Sequence, residues 1–284
     1  MTHITSLKKY LEERPQIKNL DWVEALDDRK KDEASFHDAI RNEEAQGNLL
    51  PTRKFYKIVQ KSKHYVRNWL QYHVEGKVFL DYACGEGRHS EHVLLKGNPA
   101  LLIGLDISPF SVQQASQKAQ ELGFKEKCFF IQGDCENTEL PDNSIDVILC
   151  SEMLHHLDLP KALGELYRIL APGGQILCVE ALGINPFIQW YRNRTPELRS
   201  DFEKGHILTL DNLKIAKDIG FEVTEVRFWH LFAIPAAFFY RVQSLFKPIL
   251  WIGNAIDSIV MKIPYLQRLG WQFTFVLKKK ALSK

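Results

Sequence analysis

The sequence predicts an α/β protein built on a doubly wound, mostly parallel sheet. Short, continuously apolar runs alternate with segments of helical pattern through the middle of the chain, which is typical of strands covered on both faces. A turn that contains two glycines, Gly85 and Gly87, follows the first of these runs. In a doubly wound sheet this is the usual position of a ligand.

Five apolar runs are predicted as parallel strands: 77–83, 101–106, 127–132, 145–150 and 175–181. Helices are predicted after the first run, as far as Lys96, and at about 109–122 and 160–170. Towards the end of the chain, we expect a helix at about 210–219, a sixth strand at 221–229 and a seventh at 271–277. The seventh strand is expected at the sheet edge, beside the sixth.

The regions outside this alternating pattern differ in composition. Residues 1–50 are dense in charge and weakly patterned, so they could form short helices or a partly mobile arm. Residues 51–74 predict one helix that leads into the core. We therefore divide the chain into a charged extension, 1–50, and one domain, 51–284, with its core at 77–230 and 270–279. An apolar, helical cap covers about 232–264.

The composition is that of an ordinary soluble globular protein, with 45% hydrophobic and 25% charged residues among 284. The formal charge of +2 gives no sign of a nucleic-acid partner. Five cysteines stand singly, without metal-ligand spacing, which predicts reduced thiols in a cytoplasmic compartment. The first residues lack the apolar segment of a secretory signal. The run 231–240 is too short to span a bilayer, which needs about 20 residues.

Three features predict a nucleoside-type ligand. The glycines of the turn let the backbone approach a ligand closely. Asp106 ends the second strand, where its carboxylate could accept both ribose hydroxyls. Asp134 follows the third strand and could accept a hydrogen bond from an adenine amino group. Ser90 stands at the third glycine position of the dinucleotide fingerprint, which counts against a nicotinamide or flavin cofactor.

Four motifs in this order resemble class I S-adenosylmethionine-dependent methyltransferases, in the small-molecule branch: DYACGEG, GLDIS, GDCENTELPDNSIDVILCSEMLHHL and LYRILAPGGQILCVEA. The resemblance covers about residues 77–181. It implies a Rossmann-like sheet of seven strands with the last one antiparallel. It also implies S-adenosylmethionine as cofactor, S-adenosylhomocysteine as product, and methyl transfer to oxygen, nitrogen or carbon of a small metabolite.

The resemblance also implies contacts to the cofactor. The methionine moiety would lie among Asp81, Ala83, Gly85 and Gly87. The ribose would bind Asp106, and the adenine would lie by Ile107, Asp134 and Cys135. The backbone of Ser151 would approach the sulfonium, and Tyr56 or Phe55 could form an aromatic lid unless both only pack on the core. Position 83 is alanine where the family usually has glycine, which fits provided that its φ is negative.

Three histidines are candidates for a base or an acceptor anchor, because histidine titrates near neutral pH. His155 and His156 follow the fourth strand, and His206 precedes a predicted helix. The alternative for the first pair is that one of the two has a structural role. The order Glu152-x-x-His155-His156 differs from the zinc-binding H-E-x-x-H, so no metal is expected.

Acceptor contacts are predicted on two segments. Glu180, Tyr191 and Arg192 could hold a polar acceptor, or could belong to a solvated loop. Phe232 and Phe239 of the cap could line a hydrophobic acceptor pocket. The cap could instead pack on the sheet, form a homodimer interface, or contact a membrane surface where a lipid or quinone is methylated. A nucleotide-dependent oxidoreductase and a non-catalytic cofactor-binding module are the rival functions.

Overall fold

The chain folds around one seven-stranded sheet. The computed structural model describes residues 3–45, 53–195, 200, 202 and 206–281. The strands are β1 (Val78–Tyr82), β2 (Leu101–Asp106), β3 (Cys128–Gln132), β4 (Ile145–Ser151), β5 (Leu170–Ala181), β6 (Glu222–Trp229) and β7 (Gln272–Lys278). Their order is β3-β2-β1-β4-β5-β7-β6, and β7 runs antiparallel to both neighbours. The predicted fold class is confirmed.

Helices cover both faces of the sheet, and several helices precede its first strand. They are α1 (His3–Glu12), α2 (Leu20–Glu24), α3 (Asp28–Ala45), α4 (Arg53–Tyr56), α5 (Gln60–His73), α6 (Arg88–Lys96), α7 (Pro109–Glu121), α8 (Leu159–Ile169), α9 (Pro186–Arg194), α10 (Asn212–Ile219) and α11 (Gln243–Val260). Short 3₁₀ helices occupy Lys125–Lys127, Leu154–His156, Ile234–Phe239 and Leu266–Leu269. Among the described residues, no helix combines the length and apolar character needed to cross a membrane.

Local sequence signals explain where the core helices begin. Ser108 caps α7 by accepting a hydrogen bond from the N–H of Ser111 at 2.9 Å, and Pro109 occupies the first turn. Asp158 caps α8 in the same way through the N–H of Lys161. Every residue of β1 and β2 is buried, in agreement with strands that are covered on both faces.

The position of β7 corrects our prediction. We expected the seventh strand at the sheet edge, but β7 lies between β5 and β6, and β6 forms the edge. The burial of the two strands gives the physical reason. Six of the seven residues of β7 are buried, whereas buried residues are rare in β6. A strand that is buried along most of its length gains more by pairing on both sides than at a solvated edge.

The predicted helix at 51–74 is interrupted. Its first two residues lie outside the described residues, and the rest forms the short α4 and the longer α5, separated by a turn at 57–59. The described part of the N-terminal extension, residues 3–45, forms three helices, in agreement with the first of our two alternatives. Leu7 and Leu11 of α1 belong to the main buried cluster, so at least this helix packs tightly on the core.

The cap consists of the 3₁₀ helix Ile234–Phe239 and α11. Asp257 of α11 is buried, and its carboxylate accepts hydrogen bonds from the backbone N–H groups of Leu231, Phe232 and Ala233 at 2.8–3.2 Å. Gly253 lies where α11 crosses this backbone. A Cβ at Gly253 would come within 2.2 Å of the carbonyl oxygen of Phe232. The cap is therefore held by a close crossing and by a buried carboxylate.

We expect Gly253→Ala to destabilise the protein by about 1–3 kcal/mol, because the new methyl group must push the 232–233 backbone away. The matched control is Gly164→Ala in α8, where nothing lies within 4 Å of the added Cβ. That change should be neutral or stabilising by up to about 1 kcal/mol. Urea denaturation of both variants measures the difference, and equal effects would contradict the close crossing.

Candidate functional site

A cavity of about 140 Å³ opens at the carboxyl ends of the central strands. Seven of the ten predicted cofactor residues line it: Ala83, Gly85, Asp106, Ile107, Asp134, Cys135 and Ser151. These residues come from the ends of four parallel strands that are neighbours in the sheet. Tertiary structure therefore brings most of the predicted set to one place.

Gly85 and Asp106 meet directly at this cavity. The N–H of Gly85 donates a hydrogen bond to Oδ2 of Asp106 at 2.8 Å, and the N–H of Ser108 donates to Oδ1 at 2.9 Å. The turn is also tied to β2, because the N–H of Cys84 donates to the carbonyl of Leu105. A carboxylate oxygen has more than one acceptor position, so Asp106 keeps acceptor capacity for a ligand in the cavity.

Asp81 and Gly87 lie behind the cavity wall and support it. The carboxylate of Asp81 accepts hydrogen bonds from the N–H and the hydroxyl of Ser90, at 3.0 and 2.6 Å. Burial raises the pKa of Asp81 to about 7. Gly87 caps α6 with a φ of +72°, and a Cβ there would lie 3.0 Å from the Cβ of Ala115. Both residues shape the turn, and neither is among the described residues that line the cavity.

Ala83 departs from our expectation. We required a negative φ for alanine at this position, but its φ is +58°. The chain turns sharply from β1 into the glycine turn, so this residue must adopt the left-handed conformation that glycine accepts at no steric cost. Ala83 still lines the cavity, so it occupies its predicted place under backbone strain.

Helix α3 of the N-terminal extension covers the cavity, which the sequence did not indicate. Lys30 contacts Asp134 at 2.7 Å and Glu136 at 3.1 Å, and Arg29 pairs with Glu136. Burial by itself would lower the pKa of Lys30, but the two carboxylates raise it above its ordinary value. Arg29 also donates to the carbonyl of His156 at 2.7 Å. The dense charge of the extension therefore pairs with the cavity rim and is not a purely solvated face.

His156 is the one of the three candidate histidines that is among the described residues lining the cavity. Its Nδ1 lies 2.9 Å from Oε2 of Glu33 on α3, and Nε2 of His37 lies 3.6 Å from the same oxygen. The Nδ1–Oε2 pair is close, but its angles do not suit a hydrogen bond. The ligand atoms of these three side chains lie within 4.8 Å of one another, so they could also hold a metal ion. The sequence spacing gave no sign of this cluster.

Charge and burial set the protonation of this pair. Burial lowers the pKa of His156 below its ordinary value, although Glu33 raises it in part. Burial alone would raise the pKa of Glu33, but His156, His37 and the hydroxyl of Ser200 lower it far below its ordinary value. Near neutral pH the pair therefore consists of a neutral imidazole beside a carboxylate, which is the form that can accept a proton.

The structure corrects our prediction for Glu180. We expected it to point toward the acceptor, but it is fully buried. Its Oε1 accepts the N–H groups of Met153 and Leu154, and its Oε2 lies 2.6 Å from Nδ1 of His155. Glu180 and His155 thus fix the loop after β4 from its buried side. This is the structural alternative that we considered for one histidine of the pair.

The remaining predicted site residues are not among the described residues that line the cavity. His206 stacks on the ring of Phe202 and is exposed. Tyr56 is 45% exposed, because α4 packs on the cap through Phe55 and turns Tyr56 outward. The others lie near or within the cap or on α9: Tyr191, Arg192, Phe232 and Phe239. Among these, Tyr191 packs edge-on against Phe55, with 5.1 Å between ring centroids.

The fold and the site together define a class. A seven-stranded sheet with one reversed strand, and a glycine turn that meets an acidic residue at its carboxyl ends, make this a class I methyltransferase fold. Residues 80–178 match the family model described as a methyltransferase domain. This segment is therefore similar to the methyltransferase-domain family, in agreement with the class that the sequence motifs predict.

The curated relatives cover part of the chain. A sterol 24-C-methyltransferase of Aspergillus fumigatus is 29% identical over 178 residues, which is 60% of this chain and 46% of that protein. A phthiotriol/phenolphthiotriol dimycocerosates methyltransferase of Mycobacterium leprae is 29% identical over 44% of this chain and 46% of its own length. A demethylmenaquinone methyltransferase of Bacteroides fragilis is 32% identical over 40% and 46%. The chain thus spans about half the length of the curated relatives it matches.

Solved structures share the fold at low identity. A methyltransferase from Bacillus halodurans aligns with a TM-score of 0.56 at 18% identity, over 78% of this chain and 100% of that one. The [4+2]-cyclase SpnF aligns with a TM-score of 0.55 at 20% identity, over 78% and 83%. The second example is named for a different reaction, so the fold alone does not define the chemistry.

We expect Ala83→Gly to stabilise the protein by about 0.5–1 kcal/mol. The relief of left-handed strain, about 1–2 kcal/mol, exceeds the added backbone entropy of about 0.5–1 kcal/mol. The control Ala162→Gly, inside α8, should lose about 1 kcal/mol or more because its helical φ needs no glycine. Denaturant unfolding measures both, and a loss of stability in Ala83→Gly would contradict the strained turn.

Proposed function

We propose that this chain binds S-adenosylmethionine and transfers its methyl group to oxygen, nitrogen or carbon of a small, partly apolar acceptor. The observation that carries the proposal is the meeting of Gly85 and Asp106 on one cavity, within a segment that matches the methyltransferase family. Bound S-adenosylmethionine would supply an electrophilic methyl group. The residues of the chain would bind it, orient the acceptor and exclude water.

The proposed cofactor contacts follow the cavity wall. Asp106 would accept the ribose hydroxyls, and Asp134 and Cys135 would face the adenine. The backbone at Ala83 and Gly85 would lie against the methionine moiety, and Ser151 would approach the reacting end. Asp81 would act through Ser90 by holding the turn that presents Gly85.

Helix α3 would be the movable wall of the site. The cavity of about 140 Å³ is smaller than the roughly 300–1,000 Å³ of typical small-molecule sites. Lys30 also holds Asp134, the group proposed to read the adenine edge. We therefore infer that Lys30 leaves Asp134 and that α3 shifts outward when the cofactor enters. The pair between Arg29 and Glu136 would keep α3 over the site and limit the entry of water.

A lipid or quinone acceptor at a membrane surface is the second candidate. It is favoured by the names of the matched relatives, which describe sterol, phthiotriol and demethylmenaquinone methyltransferases. The exposed apolar surface of the cap gives separate support, although a homodimer interface would be another use for it. The five cysteines are free, buried thiols, in accord with the cytoplasmic location that we propose.

The function is tested first by binding. Calorimetry with S-adenosylhomocysteine should give saturable binding, whereas NAD should give none. Binding of NAD in place of S-adenosylhomocysteine would favour the oxidoreductase. Release of S-adenosylhomocysteine from S-adenosylmethionine is then followed with sterol, quinol and amine acceptors. Cofactor binding without turnover on any acceptor would favour the non-catalytic module.

We expect Asp106→Asn to weaken binding of S-adenosylhomocysteine by about 1.5–3 kcal/mol, because a charged acceptor of hydrogen bonds is lost. Asp218→Asn is the control, since Asp218 is exposed on α10. Calorimetry measures both affinities, and circular dichroism establishes that the variants are folded. An unchanged affinity in Asp106→Asn would refute the assigned role.

We also propose that His156 is the proton acceptor and that Glu33 positions it. Methyl transfer to a protonated acceptor should fall as the pH drops through the pKa of His156, because only the neutral imidazole accepts a proton. Glu33→Gln removes a carboxylate that raises this pKa. The acidic limb of the pH profile should therefore move to lower pH.

The pKa of His156 can be measured without an acceptor, by histidine NMR titration in EDTA. The signal is assigned by its loss in His156→Gln. Glu13→Gln is the control, because Glu13 lies on the surface and pairs only with Lys9 among the described contacts. An unchanged pKa in Glu33→Gln would remove Glu33 from this role. If Glu33→Gln changes the pKa of His156 in the presence of EDTA but not in its absence, a metal ion bound by this cluster would be indicated.

A further inference from the structure

An apolar surface is concentrated on the cap. Of the 21 large hydrophobic side chains that are exposed among the described residues, 12 lie between Phe232 and Leu266. Trp251, Ile259 and Tyr265 are 74%, 67% and 78% exposed. Such a concentration of exposed apolar side chains in one segment points to an interaction site, because incidental exposed residues would be spread over the whole molecule. We call the exposed side of 232–266 the cap face.

Helix α11 has two apolar sides, and only one of them packs on the protein. Phe246, Gly253 and Asp257 are buried against the 3₁₀ helix Ile234–Phe239 and the backbone before it. The other side carries exposed isoleucines at 252, 256 and 259, which are spaced by four and three residues. This spacing places them on one stripe of the helix. The stripe is not needed to close the core.

The exposed charged residues within the cap stretch have one sign. Between residues 229 and 270, all of which the structure describes, the exposed charged residues are Arg241, Lys247, Lys262 and Arg268. The acidic residue of this stretch, Asp257, is buried. The neighbouring segment 51–74 contains six lysines and arginines and no acidic residue. Within it, Lys61 contacts α11 through the carbonyl of Asn254 and the hydroxyl of Ser258.

We propose that the cap face docks on an anionic lipid membrane. The apolar stripe would enter the headgroup boundary, Trp251 and Tyr265 would lie at the interface, and the basic residues would contact anionic headgroups. A lipid surface fits better than a second copy of the chain. A two-fold contact pairs a patch with itself, so it would bring these basic residues together with no exposed acidic residue of the stretch to neutralise them.

The base of the cap is connected to the cavity. Gln272 donates a hydrogen bond to Glu152, which lines the cavity, and accepts one from Ser62 at 2.9 Å. Ser62 lies 3.0 Å from Nε2 of His230, directly before the cap. Docking would thus bring an apolar acceptor from the membrane to the cap, whose base borders the site. The delivery of an acceptor to the site rests on the proposed function, whereas the membrane docking does not.

Vesicle flotation tests the cap face with the full chain. Vesicles of phosphatidylcholine alone are compared with vesicles that also contain phosphatidylglycerol. We expect the wild-type protein to float with the anionic vesicles and much less with the neutral ones. The double variant Trp251→Glu/Ile259→Glu should lose binding by at least about tenfold. Lys247→Gln/Lys262→Gln should weaken binding to anionic vesicles by about 30-fold.

The matched control is Leu20→Glu/Leu122→Glu, which changes two exposed hydrophobic residues outside the cap face and outside the segment 51–74. It should bind vesicles as the wild type does. Equal binding of all variants, or no binding of the wild type, would overturn the proposal. A dimer in sedimentation analysis that only the cap variants abolish, without vesicle binding, would assign the face to self-association and also overturn it. Affinity for S-adenosylhomocysteine, measured without vesicles, tests the enzyme function separately.

Discussion

The contact between the backbone of Gly85 and the carboxylate of Asp106 is the constraint on which the site depends. Parallel pairing of β1 with β2 brings the ends of both strands to one edge, and this hydrogen bond then fixes the turn against the acidic residue. The turn requires a left-handed conformation at three nearby positions, including Ala83. The strain there and the buried carboxylate of Asp81 are tolerated because the core strands determine the path of the chain on both sides.

The second constraint is electrostatic. Helix α3 carries a dense set of charges, and in isolation such a helix would remain in water. Here its basic residues meet Asp134 and Glu136 at the rim, and its Glu33 meets His156 inside. Removing these carboxylates from water would be costly without partners, so the helix and the rim stabilise each other. The same helix therefore closes the cavity and supplies a carboxylate to the candidate proton acceptor.

The cap uses a different principle. Its buried side is held by the crossing at Gly253 and by the carboxylate of Asp257, which satisfies three backbone N–H groups. Its outer side keeps an apolar stripe and basic residues in contact with solvent. The packing of the inner side therefore does not depend on the exposed residues of the outer side. A protein that acts on apolar acceptors can use such a surface for access to them.

Sequence by itself determined the alternation of strands and helices, the glycine turn, and the seven residues, of ten predicted to contact a cofactor, that line the cavity. These depend on periodicity and on short motifs, which are local properties of the chain. Tertiary structure alone decided the place of β7 inside the sheet, the burial of Glu180 and the covering of the cavity by α3. Each of these depends on which segments pair across long stretches of sequence, and the free energy of burial and charge pairing that selects them has no local signature.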